Sequence, residues 1–327
     1  MAKIVYNLPL ITKININNCR KICRTEFSIY KNNFNVYVGY ENGDIKIFKE
    51  FKAIESNFET KSTSFTLLNK NKHKSFIYQM RYRENQPQTP QLITCSDDKT
   101  VKIWCLIRNK CLITITDQSA ILDCLFIENN DNYKNIIIYG TNDGSVKFFN
   151  LKTKKIFKTF EPFIEYIDMI LFKKHIINER SVIFSINQIK LDNFENNKTP
   201  KNNLIFIGGN NCFTIYDLKK QREMPKNKDF KSMIFFLDND KKKIFFSHSS
   251  HISEINCNNY QIRNIMEIKQ TVLNGLFVND WFLFNNSKNM LFIYNLINNK
   301  IIRTKKFDKN IHKIKMIQNT IFIITSL

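Results

Sequence analysis

Apolar and polar residues alternate with period two in a series of short segments rich in Ile, Val, Phe and Tyr, the spacing of half-buried strands rather than helices. Three of these nearly superimpose: Cys212-Phe-Thr-Ile-Tyr-Asp-Leu218, Met290-Leu-Phe-Ile-Tyr-Asn-Leu296 and Ala2-Lys-Ile-Val-Tyr-Asn-Leu8. Three more share the spacing, with a charged residue between apolar neighbours: Asp44-Ile-Lys-Ile-Phe48, Thr100-Val-Lys-Ile-Trp104 and Ser145-Val-Lys-Phe-Phe149. Upstream of the last three lie Phe34–Gly39, Gln91–Cys95 and Asn135–Gly140, each a second strand. Between the strands stand Tyr40-Glu41-Asn42-Gly43 and Thr141-Asn142-Asp143-Gly144. Asn-Gly or Asp-Gly between alternating runs signals a tight hairpin, and a type I′ turn with positive φ at both central residues is expected. Strand, turn and strand therefore recur in one register.

The stretch from His73 through Gln91-Leu-Ile-Thr-Cys-Ser-Asp-Asp-Lys-Thr-Val-Lys-Ile-Trp104 resembles a WD40 repeat, which places a His some way before a Trp and an S-x-D-x-T turn just ahead of it. The resemblance implies a structural tetrad of His73, Thr94, Asp98 and Trp104, with the carboxylate accepting from the imidazole, the hydroxyl holding the other ring nitrogen, and the indole N–H bonding the hydroxyl. Elsewhere the signature is degraded. Phe48, Phe149, Tyr216 and Tyr294 stand in the Trp place, and Asn42, Asp143, Asn210 and Lys288 in the Asp place. The upstream His has no evident counterpart.

Counting repeats gives four-stranded units at 20–58, 73–117, 119–161, 164–225, 230–268 and 271–307. The ends supply the rest of a seventh, two strands from Asn310–Ile317 and Thr320–Ile324 and two from Lys3–Leu8 and Ile11–Ile16. The expectation is an all-β fold, a seven-bladed WD40-like β-propeller in a single domain over 1–327, closed by N- and C-terminal strands sharing one blade, which removes two exposed sheet edges. An insertion at 173–203 contains Ser181–Ser185 and Ile189–Leu191; if these built their own blade the count would be eight.

Composition qualifies this picture. Fifty Lys and Arg against 29 Asp and Glu leave a net charge of +21 on 327 residues. That balance implicates nucleic acid, an acidic partner or an anionic surface. Ile, Asn, Lys, Phe and Tyr, whose codons are rich in A and T, abound while Gly and Pro number 7 and 6, so an A/T-rich genome yields the same charge without a ligand. The 8 Cys are scattered with no CxxC pair, as free thiols in a reducing compartment would be. The N-terminus lacks a secretory pattern, and no run approaches the roughly 18 apolar residues of a membrane span. An intracellular protein, nuclear or cytoplasmic, is expected.

Catalytic patterns are thin. His248 and His251 are spaced HxxH, but zinc would need two further donors, and a predicted turn makes them solvated loop residues. No P-loop, GxSxG or glycine-rich nucleotide pattern occurs. Asp123 and Asp168, expected on channel-lining first strands, read as acceptors for neighbouring donors. No catalytic residue, cofactor or metal is expected. The resemblance instead implies a non-catalytic scaffold, because loops on a stiff ring are suited to recognition. Its upper rim would present the residues preceding the tetrad Asp place: Glu41, Asp97, Asn142, Gly209 and Ser287. The expected partners are proteins of a multi-subunit assembly, an RNA-associated one such as ribosome maturation or RNA processing given the charge. Direct RNA binding through a Lys-rich surface (Lys70–Lys74, Lys152–Lys158, Lys219-Lys220, Lys241–Lys243, Arg303–Lys306), or a substrate adaptor of a ubiquitin ligase or chromatin complex, are the alternatives. Neither a membrane nor a second copy of the chain is expected as a partner.

Overall fold

The computed structural model describes residues 10–16, 21–30, 33–51, 65–68, 71–83, 90–127, 135–162, 183–189, 204–209, 212–218, 220, 222–223, 227–228, 234–238, 243–248, 251–256, 261–268, 272–278, 280–317 and 320–326. Among these residues every regular element is a strand, and the strands pair into seven sheets. Sheet I runs from its inner to its outer strand as Ile22–Tyr30, Asn33–Tyr40, Ile45–Phe51 and Phe65–Leu67. Sheet II is Ile77–Arg83, Gln91–Ser96, Thr100–Cys105 and Lys110–Thr116; sheet III is Ile121–Phe126, Ile136–Thr141, Val146–Asn150 and Lys155–Phe160. In sheet IV, Ile183–Ile189, Leu204–Gly209 and Cys212–Asp217 are followed by two short pieces, Arg222–Glu223 and Asn227–Lys228, that both pair with Cys212–Asp217. Sheet V is Ile234–Asp238, Lys243–His248, His251–Asn256 and Ile262–Glu267, and sheet VI is Val272–Val278, Trp281–Asn286, Met290–Asn295 and Lys300–Lys306. Sheet VII joins Ile311–Ile317, Thr320–Ser326 and Leu10–Ile16.

Each inner strand touches the inner strand of the next sheet, and Ile311–Ile317 returns to Ile22–Tyr30. The fold is an all-β propeller. Leu10–Ile16 lies parallel to Thr320–Ser326, with Thr12 opposite Phe322. Hairpin-linked strands must run antiparallel; these two come from opposite chain ends, so no hairpin dictates their direction. The further N-terminal strand expected at Lys3–Leu8 lies outside the described residues.

Sheet IV departs from the sequence reading. Its inner position is filled by Ile183–Ile189, one continuous strand across segments expected as two pieces of an insertion, so part of 173–203 belongs to the sheet itself. The inner strand expected near Tyr166–Ile170, with Asp168, lies outside the described residues.

The hairpin turns also differ from expectation. Gly43 and Gly144 have φ of 80° and 88°, but Asn42 and Asp143 do not share the positive sign. The Gly43 N–H reaches the Tyr40 carbonyl (3.0 Å) and the Gly144 N–H that of Thr141 (3.2 Å), so each turn is type I followed by one left-handed residue. The Asx side chain supplies what a second left-handed residue would have: Asn42 Oδ1 accepts the Asp44 N–H and Asp143 Oδ1 that of Ser145. Lys99 (φ 65°) and Asn289 (φ 60°) hold the same place in sheets II and VI. Only Gly fits at 43, where a Cβ would stand 2.1 Å from the His73 carbonyl oxygen.

The core lies between sheets rather than within them. Tyr37, Ile45, Ile47 and Leu68 of sheet I pack on Ile77, Met80, Leu92 and Trp104 of sheet II. Ile93, Val101 and Ile103 pack on Ile121, Cys124, Ile137 and Phe149 of sheet III. Around the ring, Leu283, Leu291 and Ile293 of sheet VI meet Ile311, Ile314, Ile321 and Ile323 of sheet VII.

Two neighbour contacts are reinforced by charge. Asp123, 1% exposed in its side chain, accepts the Arg81 guanidinium at 2.8 and 2.9 Å, tying sheet II to sheet III. Glu26 of sheet I accepts Lys313 through one oxygen and Lys315 through the other, each at 2.9 Å, across the seam where the chain ends meet. Burial holds the Lys313 ammonium below its ordinary pKa; Glu26 opposes this and Lys315 adds to it. Replacing Glu26 by Gln removes the carboxylate that Lys313 and Lys315 both reach. Because both are partly solvated, the expected cost is about 1–3 kcal/mol, read as a lower urea midpoint; an unmoved midpoint would mean that packing alone closes the ring.

Candidate functional site

His73 lies in the loop that enters sheet II. Its Nδ1–H donates to the Asp98 carboxylate at 3.0 and 3.1 Å, and its Nε2 accepts the Thr94 hydroxyl at 2.7 Å. The Thr94 oxygen in turn accepts the Trp104 indole N–H at 2.9 Å. The direction is forced, because an indole can only donate and a carboxylate can only accept, which fixes the neutral ring with its proton on Nδ1. Thr100 and the Lys74 N–H complete the Asp98 shell. His73, Thr94 and Trp104 are 0% exposed, so these bonds replace water entirely. Burial pushes the His73 pKa down, against the pull of Asp98. For Asp98 burial works upward, but bonds from His73, Thr100 and Lys74 outweigh it and hold the carboxyl well below the usual range.

Sheet III carries a counterpart in which an acid stands in for the histidine. Asp117 precedes Ile121 by the same interval as His73 precedes Ile77. Its carboxylate accepts the Tyr139 hydroxyl (2.9 Å) and both its oxygens take Lys147 Nζ (2.8 Å). Tyr139 stands where Thr94 does, five residues before the left-handed turn position, and Phe149 replaces Trp104, so nothing there requires an acceptor for an indole. The spacing to the inner strand was the available signal; the residue type had changed. Nearby, Thr141, Ser119 and Ser145 outweigh the upward push of burial and lower the Asp143 pKa to about 2.

The expected rim residues Glu41, Asp97, Asn142 and Ser287 are exposed, each first in the turn after a second strand. Three share one backbone bond: the N–H groups of Glu41, Asp97 and Asn142 donate to the carbonyls of Lys21, Phe76 and Ala120, just ahead of the inner strands. Gly209 instead closes the strand Leu204–Gly209, opposite Ile183. Asp97 accepts Ser75 Oγ and Tyr78 Oη, both at 3.3 Å, and Arg24 of sheet I donates to the Tyr78 carbonyl. Tyr78 sits at a one-residue register break between Ile77 and Gln79; the same break recurs between Ile22 and Arg24, Ile121 and Asp123, and Ile311 and Lys313. Arg24, Tyr78, Ser75 and Asp97 thus form a connected polar patch spanning two sheets.

Asp123, weighed as a channel residue, is committed to Arg81. His248 and His251 face each other at the end of a hairpin. Among the described residues no three His, Cys, Asp or Glu side chains converge as metal ligands, and no helix is long and apolar enough to cross a membrane.

Residues 65–105, which contain the whole His73–Trp104 network, match the family described as WD domain, G-beta repeat. A stretch of 89 residues, 27% of this chain, is 36% identical to the WD repeat-containing protein 89 homolog of Dictyostelium discoideum. That stretch spans 22% of the relative's length. Residues 65–105 are thus similar to a WD40 repeat, and the matched stretch to part of a WD-repeat protein.

Thr94→Val keeps the shape but strips both His73 and Trp104 of their shared partner. It is expected to cost about 1–3 kcal/mol in denaturant unfolding, whereas a change below about 0.3 kcal/mol would remove the network from the account of stability. The pH dependence has a fixed sign. His73 and Asp98 both have folded pKa values below their unfolded ones, so their stabilisation is complete above the ordinary histidine value of 6.5. Thermal midpoints should fall as pH drops below that value and continue falling through the carboxylate range. In His73→Gln the first part of that decline should become smaller, the remainder coming from His312, whose ring is also held below its ordinary value by burial.

Proposed function

We propose that the chain is a single-domain, seven-bladed ring that docks partner proteins on the rim formed by Glu41, Asp97, Asn142 and Ser287, inside an intracellular, RNA-associated assembly. Supporting the count of seven are the seven sheets among the described residues and their contacts in a closed order. What carries the docking reading is the shared backbone bond that fixes Glu41, Asp97 and Asn142 in adjacent sheets. Side chains displayed from a backbone already tied to the inner strands lose little freedom on binding. Their acidic and amide character suits a polar or basic segment of a partner. In this reading the His73–Asp98 network is architectural, holding the turn that presents Asp97. The chain performs no catalysis of its own, and substrate delivery within a ubiquitin-ligase or chromatin complex is a variant of the same docking.

A second reading, direct RNA binding, is favoured by the placement of cations. Lys152, Lys154, Lys155, Arg108, Lys110, Lys300, Arg303, Lys305 and Lys306 are exposed on outer strands and turns of three sheets. One purification distinguishes the two. Mass spectrometry of what the tagged chain retains at moderate salt should show stoichiometric proteins that are lost in Asp97→Lys while circular dichroism is unchanged; recovery of the chain alone would overturn the scaffold reading. Binding to RNA oligonucleotides that falls steeply as salt rises would support the second reading, and a flat response would remove it.

A further inference from the structure

The seam between sheets VI and VII contains a groove that the rim does not involve. It has a volume of about 170 Å³ and is lined by Leu291, Ile293 and Phe307 as an apolar floor and by Arg303 and Lys305 as a wall. Arg303 lies opposite Ile293, and Lys305 opposite Leu291, on the outermost strand of sheet VI. The same register positions hold Ile113 and Ile115 in sheet II, which pack under sheet III, and Lys158 and Phe160 in sheet III, where Lys158 stands over the Tyr216 ring. Sheet VI therefore keeps two exposed cations where its equivalents carry side chains engaged with the next sheet.

Three further observations define what would fit. Among the described residues no acid pairs with Arg303 or Lys305; Lys305 Nζ instead sits 5.4 Å from the centre of the Phe307 ring. Every residue of Lys300–Lys306 is exposed, and this strand ends its sheet, so its outer backbone groups have no strand beside them among the described residues. Ile301 and Ile302 on it are 45% and 42% exposed, and Ile297 in the preceding turn 72%. A row of lysines on an edge strand also discourages self-association, but that role does not call for a cavity beneath the charges whose apolar floor, Leu291, Ile293 and Phe307, is nearly buried.

We infer that this groove is a second docking site, for an extended acidic segment of a partner protein that lays an aliphatic or aromatic side chain on Leu291, Ile293 and Phe307. Its carboxylates pair with Arg303 and Lys305 while its backbone adds to the free edge of Lys300–Lys306. Main-chain pairing supplies affinity and the groove with its two cations supplies selectivity. The site is separate from the rim and stands whether or not the rim docks proteins.

The probe is a fluorescein-labelled peptide alternating Glu with Leu and Phe, followed by anisotropy. Arg303→Glu with Lys305→Glu should weaken binding by about tenfold or more, with Arg303→Gln and Lys305→Gln as the milder pair should the first fail to fold. Lys152→Glu with Lys154→Glu makes the same charge change on sheet III and should leave affinity within about twofold. Equal loss in both pairs would reduce the effect to net charge and overturn the proposal, as would no binding by the wild-type chain. Deleting residues 1–9 should leave affinity unaltered; a large gain would show that the chain's own N-terminal segment is the occupant.

Discussion

None of these sheets has a hydrophobic core of its own. Each is a thin layer with two apolar faces, and a face is removed from water only by the adjacent sheet, so stability resides in the contacts between neighbours and in their closure into a ring. Trp104 illustrates this: it belongs to sheet II, yet the cluster that buries it includes Tyr37 and Ile47 of sheet I. An open array would leave one face at each end in water. Closure by strands from opposite chain ends makes the first and last sheets each other's neighbours, and Glu26 gives that contact a charged register with two lysines from the other end of the sequence.

The polar networks serve the same geometry. A tight turn at the top of each sheet must have its backbone groups satisfied, and a buried residue from the preceding loop must stay there without orphaned donors. In sheet II, His73, Thr94, Asp98 and Trp104 meet both requirements; in sheet III, Asp117, Tyr139 and Lys147 satisfy the buried part with an ion pair instead of an imidazole. In sheet VI, Asn286 accepts from Lys288 and Met290 because Lys288, in the Asp place, has no acceptor to offer. One backbone course is thus held by three different sets of side chains, which is why the signature is clear in one repeat and faint in the rest.

The distribution of charge bears on function differently from its total. Among the described residues, exposed cations lie on outer strands and turns, as at Lys110, Lys155 and Lys300–Lys306, where lysines also keep sheet edges apart, while Glu41, Asp97 and Asn142, fixed by shared backbone bonds, are acidic and polar. A net charge of +21 therefore does not describe the turns that carry Glu41, Asp97 and Asn142. At the seam between sheets VI and VII, cations line a hollow with apolar residues.

The amino-acid order alone determined the strand class and the repeat, because both are encoded by local spacing, period two for strands and an Asx-containing turn between them; the four residues of the His73 network were legible through the resemblance of the His73–Trp104 stretch to a WD40 repeat. It also pointed to Glu41, Asp97, Asn142, Gly209 and Ser287 by their place one residue ahead of the turn's Asp position; the first three and Ser287 are exposed in turns, while Gly209 ends a strand. Contacts between residues distant along the chain carry no local period, and those were decided by tertiary structure. They include the pairing of Glu26 with Lys313 and Lys315, the partnership of Arg81 with Asp123, and the parallel closure of Leu10–Ile16 on Thr320–Ser326. The same holds for the type of turn, which depends on whether an Asx side chain or a second left-handed residue satisfies the backbone, and for Asp117, whose role is defined by what the folded ring places beside it.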